Sequence, residues 1–196
     1  MGNGWSIRKL KNNRMKKITF LLLVLISLIA VGQNKYLTKT GTLSFEASVP
    51  SFEEVAANNK SVTAILNTEN GEFAALVLVK AFRFKNALME EHFNENYAES
   101  DSYPKATFKG EIENFKFDSL SEIDNSFLIK GTLTFHGVTK TIKAVPLAIK
   151  MVDSKIVLSG SFKVLVSDFN IKIPKVVQNK LSDEVSVVFN FELVKK

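Results

Sequence analysis

From Gly41 onward the chain alternates apolar and polar residues. In "GTLSFEASV", Leu43, Phe45, Ala47 and Val49 take one face, and Thr42, Ser44, Glu46 and Ser48 take the other. Successive side chains of a strand point to opposite sides, so this pattern predicts a strand with one wet and one dry face. "SVTAILNTENGEFAALVLVKAFRF" reads as two strands joined at Glu69-Asn70-Gly71, because Asn-Gly is a strong hairpin signal. "ATFKGEI", "FLIKGTLTF", "VTKTIKAVPLAI", "KIVLSGSFKVLV" and "EVSVVFNFELV" repeat the alternation. In the last of these, Val185, Val187, Phe189, Phe191 and Leu193 share a face. The tally is about eight strands joined mostly by short turns, which predicts an all-β antiparallel barrel or sandwich.

One segment departs from period two. In "NALMEEHFNENYAESDSYP", Met89, Phe93 and Tyr97 recur every four residues, and Asn86 is a suitable N-cap. The spacing predicts a short helix over Ala87–Tyr97, after the third strand, with Glu90 and Glu91 suited to its first turn.

Residues 1–32 differ in kind from the rest. They hold Arg8, Lys9, Lys11, Arg14, Lys16 and Lys17 and no acidic residue, followed by the apolar run Ile18–Ile29. A bilayer span needs roughly 20 apolar residues, so this run is short for one. It fits the h-region of a signal peptide, with Lys16 and Lys17 before it and Ala30-Val31-Gly32 as the cleavage region. Cleavage is expected before Gln33, with Met15 as the expected start of translation. Residues 33–196 then form one mature domain with no integral membrane span, periplasmic or secreted.

This division changes the meaning of the charge. The whole chain carries +6, but the part after residue 32 holds 20 basic and 20 acidic residues. A nucleic-acid-binding protein keeps its basic patch in its folded part, so that class is set aside. The chain has no Cys, which excludes thiolate nucleophiles and thiolate metal sites.

The remaining polar candidates are few. His136 sits in "TFHGVT", where His136-Gly137 forms the two-residue loop of a hairpin. A type I′ turn needs positive φ at both positions, and His is among the residues that tolerate it. A turn role therefore outweighs a catalytic one, and no "GxSxG" motif supports a nucleophile. His92 and Glu95 have i, i+3 spacing, but a closed metal shell wants three or four ligands. Glu46, Glu111 and Asp153 fall on polar strand phases or in turns, and Asp168 reads as a turn former. No cofactor is implied.

The stronger signal is apolar. Phe45, Leu76, Leu78, Phe82, Phe84, Phe108, Leu133, Phe135, Phe162, Val164, Phe189 and Phe191 are assigned to the inward phases, with Met89 and Phe93 from the helix. Ala47, Gly110, Gly131 and Gly160 lie on the same phases and are expected to leave space. The pattern fits a filled core and an apolar cavity equally well. An eight-stranded barrel is just wide enough for either.

Three stretches bear on that choice. "HFNENYAESDSYPKATFKGEI", "KGTLTFHGVTKTIK" and "SDFNIKIP", in this order and spacing, resemble the YceI-like family of exported bacterial proteins. The resemblance runs from about Tyr36 to Val194. It implies a lipocalin-like antiparallel barrel of about eight strands whose cavity binds a polyisoprenoid or an isoprenoid quinone. The chain departs from the family's polar residues near the ligand end, where it reads "FRFKNALMEEHFNENY" and Arg83 is the candidate replacement. The expected function is a non-enzymatic binding protein for an apolar lipid, with a homodimer left open. The alternative is a ligand-free barrel with a protein–protein or stress role in the envelope. An outer-membrane barrel is disfavoured, because its lumen would be polar and its outside apolar.

Overall fold

A computed structural model describes residues 34–50 and 52–196. The expected leader, the start at Met15 and the junction before Gln33 lie outside the described residues. Nine strands form in chain order: β1 (Lys35–Ser48), β2 (Ala56–Asn67), β3 (Glu72–Leu78), β4 (Arg83–Phe84), β5 (Lys105–Ile112), β6 (Asn125–Phe135), β7 (Val138–Val152), β8 (Lys155–Leu165) and β9 (Leu181–Lys195). Every pairing is antiparallel, and neighbours in sequence are mostly neighbours in space. β1 pairs with β9 on one side and with β2 on the other, which closes the sheet into a barrel. The two-residue β4 pairs with β2 beyond the reach of β3, at Ala57↔Phe84 and Asn58↔Arg83. It continues the third staves of an eight-stranded barrel after a short 3₁₀ turn, Val79–Ala81. Closure leaves no long unpaired edge among the described residues.

The predicted helix forms, in two parts. An α-helix, α1, runs Ala87–His92 and passes into a π-type turn over Phe93–Tyr97. Asn86 caps it as expected, its side chain accepting from the Leu88 N–H at 2.9 Å.

Two turns adopt the type I′ form, at opposite ends of β7. His136 and Gly137 have φ of 49° and 71°, and Asp153 and Ser154 have 47° and 62°. The Asn70-Gly71 turn differs from the two-residue form. Only Gly71 has positive φ (76°), and its N–H bonds Asn67 O at 2.9 Å across a longer loop.

The barrel interior has two unlike ends. At one end, Leu66, Ile149, Ile156 and Leu193 are fully buried. The β5–β6 connection folds over this end as a plug, with Phe115, Phe117 and Leu120 packed on the core. Phe117 meets Tyr36 at 5.7 Å between ring centroids, and Phe115 meets Phe127 at 6.0 Å. At the other end stand the β1–β2 and β8–β9 connections, α1 and the His136-Gly137 turn. The interior there is open.

Candidate functional site

A cavity of about 530 Å³ opens at that second end. This lies within the range of roughly 300–1,000 Å³ typical of small-molecule sites. The inward phases of the strands build its walls. Leu43, Phe45 and Ala47 come from β1, Leu133 and Phe135 from β6, Phe162 and Val164 from β8, and Val185, Val187 and Phe189 from β9. Met89, Phe93 and Tyr97 reach in from α1 and its continuation. Of the assigned lining residues, Phe45, Phe82, Phe84, Met89, Phe93, Phe108, Leu133, Phe135, Phe162, Val164, Phe189 and Phe191 all line it.

Leu76 and Leu78 do not. On β3 the lining residues are Phe73, Ala75 and Val77, and Leu78 is 47% exposed. The phase is inverted because Ala74–Val79 is apolar at every position, so period two carries no sign there. The pairing to β5 settles it by placing Phe73 opposite Gly110 and Val77 opposite Ala106.

The glycines also differ from expectation. A Cβ on Gly160 would lie 2.6 Å from Phe189 Cζ and 2.9 Å from Pro146 O. One on Gly131 would lie 2.3 Å from Lys109 O and 2.8 Å from Phe108 Cζ. Gly110 sits under the same Phe108 ring, and Gly41 under Phe191. These positions leave no free space. Each admits the close approach of an aromatic ring or a neighbouring backbone. The rings so seated form the floor of the cavity: Phe189 and Phe191 stack at 5.5 Å, Phe191 and Phe73 at 5.8 Å, and Phe73 meets Phe108 at 6.2 Å.

A second aromatic cluster forms at the mouth. Phe93 stands 5.3 Å from Phe45, 5.7 Å from Phe82 and 5.2 Å from Phe84. These contacts hold the helical segment against the barrel rim. Arg83 turns away from the cavity and bonds Glu90 Oε1 at 2.9 Å, so it adds no cation to the interior. The lining residues with carboxylate, ammonium or imidazole side chains are Glu53, Lys180 and His92, each on a segment at the mouth. Burial pushes the Tyr97 hydroxyl above its usual pKa. Between the mouth and the floor the walls are hydrocarbon save at Thr107, and such walls solvate an apolar chain and penalise a charge.

His136 occupies the predicted turn and does more besides. Its imidazole Nδ1–H donates to Phe169 O at 2.9 Å, and its ring packs edge-on against Tyr103 at 4.6 Å. Its Nε2 lies 3.3 Å from Glu99 Oε1 without an aligned hydrogen bond. One side chain thus ties the β6–β7 turn to the loop after α1 and to the segment after β8. Asp168 sits in the 3₁₀ turn Val166–Phe169 and pairs with Lys140 at 3.3 Å. Among the described residues, no three His, Asp or Glu side chains gather as metal ligands.

The sequence reading missed part of the lining. Phe169, Ile171, Ile173 and Val177, between β8 and β9, complete the mouth. The alternation of Phe169, Ile171 and Ile173 carries the signal, but Asp168 and Pro174 around it read as turn residues.

The fold and the site can be set beside known proteins. A polyisoprenoid binding domain from Saccharophagus degradans, described as implicated in plant cell wall breakdown, superposes with a TM-score of 0.73 at 16% identity, over 84% of this chain and 99% of that one. Burkholderia cenocepacia BcnA gives 0.64 at 17% identity, over 79% and 96%. A Campylobacter jejuni YceI protein gives 0.56 at 21%, over 76% and 88%. No curated protein matches the chain. At these identities the structural likeness speaks for the barrel alone, but the YceI-like domain model matches residues 35–193, and so the chain belongs to the YceI-like family.

Proposed function

We propose that this protein is an exported, non-enzymatic binding protein that sequesters or carries a long apolar lipid of the polyisoprenoid or isoprenoid-quinone type. The observation that carries this reading is the cavity itself: apolar walls, an aromatic floor, and charge only at the mouth. Each methylene moved from water into such walls contributes about 0.8 kcal/mol, so a few isoprene units offset the entropy of binding. A hydrocarbon chain would enter past Phe93 and lie along Phe45, Phe162 and Val164, its head group near the mouth. The polyisoprenoid binding named for the Saccharophagus degradans domain agrees with this choice of ligand class.

A barrel with a purely structural role would gain most from packing both ends alike. Here only one end is filled, which favours the carrier over the ligand-free alternative. Export is part of the proposal and rests on the leader pattern of residues 1–32. Protein recovered from the envelope should begin at or near Gln33; mature protein retaining residues 1–32 would refute it.

The direct test is extraction of the purified protein and mass spectrometry of what it releases. Co-purified isoprenoid at near one molecule per chain is the expected result. No bound lipid, together with no uptake of added polyprenol or quinone, would overturn the carrier reading.

A further inference from the structure

The mouth of the cavity is not uniform around its rim. On one side lies the connection from β8 to β9. Residues 169–182 of this lip hold Lys172, Lys175 and Lys180 and no acidic residue. None of these lysines makes an ion pair among the described residues, whereas eight other lysine and arginine side chains do. At the crest is the 3₁₀ turn Lys175–Val177. Its two valines diverge: Val177 lines the cavity, while Val176 is 81% exposed beside Lys175. The β1–β2 connection stands next to this lip, since Ser48 pairs with Leu181. It contributes Phe52, which lines the cavity and is still 44% exposed. The acidic groups nearby are Glu53 and Glu54 and, at the two ends of the lip, Asp168, Asp183 and Glu184. Glu54 is engaged by Lys85, Asp168 by Lys140 and Glu184 by Lys163, and Asp183 accepts from Ser167. The helical segment at the mouth carries Glu90, Glu91 and Glu95, of which Glu90 is paired with Arg83.

We propose that the 169–182 lip docks on an anionic lipid surface, with Val176 entering the interface and Lys172, Lys175 and Lys180 facing the head groups. An exposed apolar crest flanked by unpaired cations is the arrangement that binds such a surface, through buried apolar area and attraction to anionic lipid together. Glu91 and Glu95 of the helical segment are repelled by the same surface, so the lip docks with that segment turned away from it. A cavity opening at this lip receives a hydrocarbon chain directly from the bilayer. The purpose of the docking rests on the carrier reading; its physics does not.

The chain contains no Cys, so Val176→Cys gives a single thiol for an environment-sensitive fluorophore in the full-length protein. Such a reporter reads its own surroundings, whatever else in the chain touches lipid. Glu122→Cys, at the plugged end, serves as the control position. The probes are phosphatidylcholine vesicles with and without phosphatidylglycerol, free of isoprenoid. The expected result is a blue shift at position 176 only, only with phosphatidylglycerol present, and diminished by salt. Reversing Lys172, Lys175 and Lys180 to Glu together should weaken the vesicle affinity by at least about a hundredfold, at roughly fivefold for each cation removed and more for the repulsion each Glu adds. No shift at 176, an equal shift at 122, or an affinity indifferent to the three reversals would overturn the proposal. Because the vesicles lack isoprenoid, this outcome is independent of whether lipid is extracted from the cavity. Either proposal can fail while the other stands.

Discussion

The plugged end and the open end of the barrel are made of the same strands and the same kinds of side chain. At the plugged end, Leu66, Ile112, Ile149, Ile156 and Leu193 are at most 1% exposed, and the 113–124 connection folds back over them. At the open end, Leu43, Phe45, Phe84 and Phe162 remain only partly buried. The connections there stand around the mouth, and where the plug would lie there is a cavity. What separates the two ends is where the connecting segments put their apolar residues. Phe115, Phe117 and Leu120 of one connection go into the barrel axis. Phe93, Phe169 and Val177 of the others go to the wall. Stability is thereby concentrated at one end, and the other is left free for a ligand.

The largest test of that division compares two identical substitutions. Leu66→Ala at the plugged end should cost about 2–5 kcal/mol, as a fully buried leucine does. Leu133→Ala on the cavity wall should cost less than about half as much in the ligand-free protein, while weakening lipid binding. Urea unfolding of the two variants measures both, and equal losses would break the comparison.

Next in size is Gly160→Leu. Phe189 and Pro146 O already occupy the space a side chain would need, so this variant should lose roughly 1–3 kcal/mol. A thermal melt unchanged from the parent would mean that the aromatic floor yields freely and belongs with the open end.

His136→Asn keeps a residue suited to the turn but loses the bond to Phe169 O. A cost of about 0.5–1.5 kcal/mol is expected, with the barrel intact by circular dichroism. The loss should appear as faster hydrogen exchange in the segment around Phe169, not in β9.

The smallest effect belongs to Tyr97. Burial raises its pKa above the ordinary 10.0, so the folded state favours the neutral phenol. Its contribution is present below that value and fades as pH rises through it toward the higher folded value. The alkaline limb of a stability–pH curve should therefore flatten in Tyr97→Phe.

The strands were legible in the sequence because period two survives wherever a strand has one wet face. β3 lost its phase where Ala74–Val79 offers no polar residue to mark the outside. The helical segment was legible from Met89, Phe93 and Tyr97 and from the Asn86 cap. The turn role of His136 could be read locally; its tie to Phe169, 33 residues on, could not. The same distance problem hid the floor of the cavity. Gly160 looks like empty space until Phe189 is placed across from it in the β8–β9 register. The plug was missed for a further reason. "ENFKFDSLSEIDN" is polar enough to read as a surface loop, and its four apolar residues, Phe115, Phe117, Leu120 and Ile123, keep no single strand or helix period.

One consequence follows from the way β1 meets β9. The backbone N–H of Lys196 bonds Lys35 O at 2.9 Å, so the two ends of the barrel's chain lie side by side at the plugged end. A reporter protein or affinity handle joined after Lys196 would stand away from the mouth and leave ligand entry clear. The same adjacency makes the barrel a candidate for circular permutation, with a short linker across that junction and new ends cut at the Asp153-Ser154 turn. It also sets an order for synthesis. β1 can pair with β2 early, but its other edge has no partner until the fifteen residues of β9 have been made.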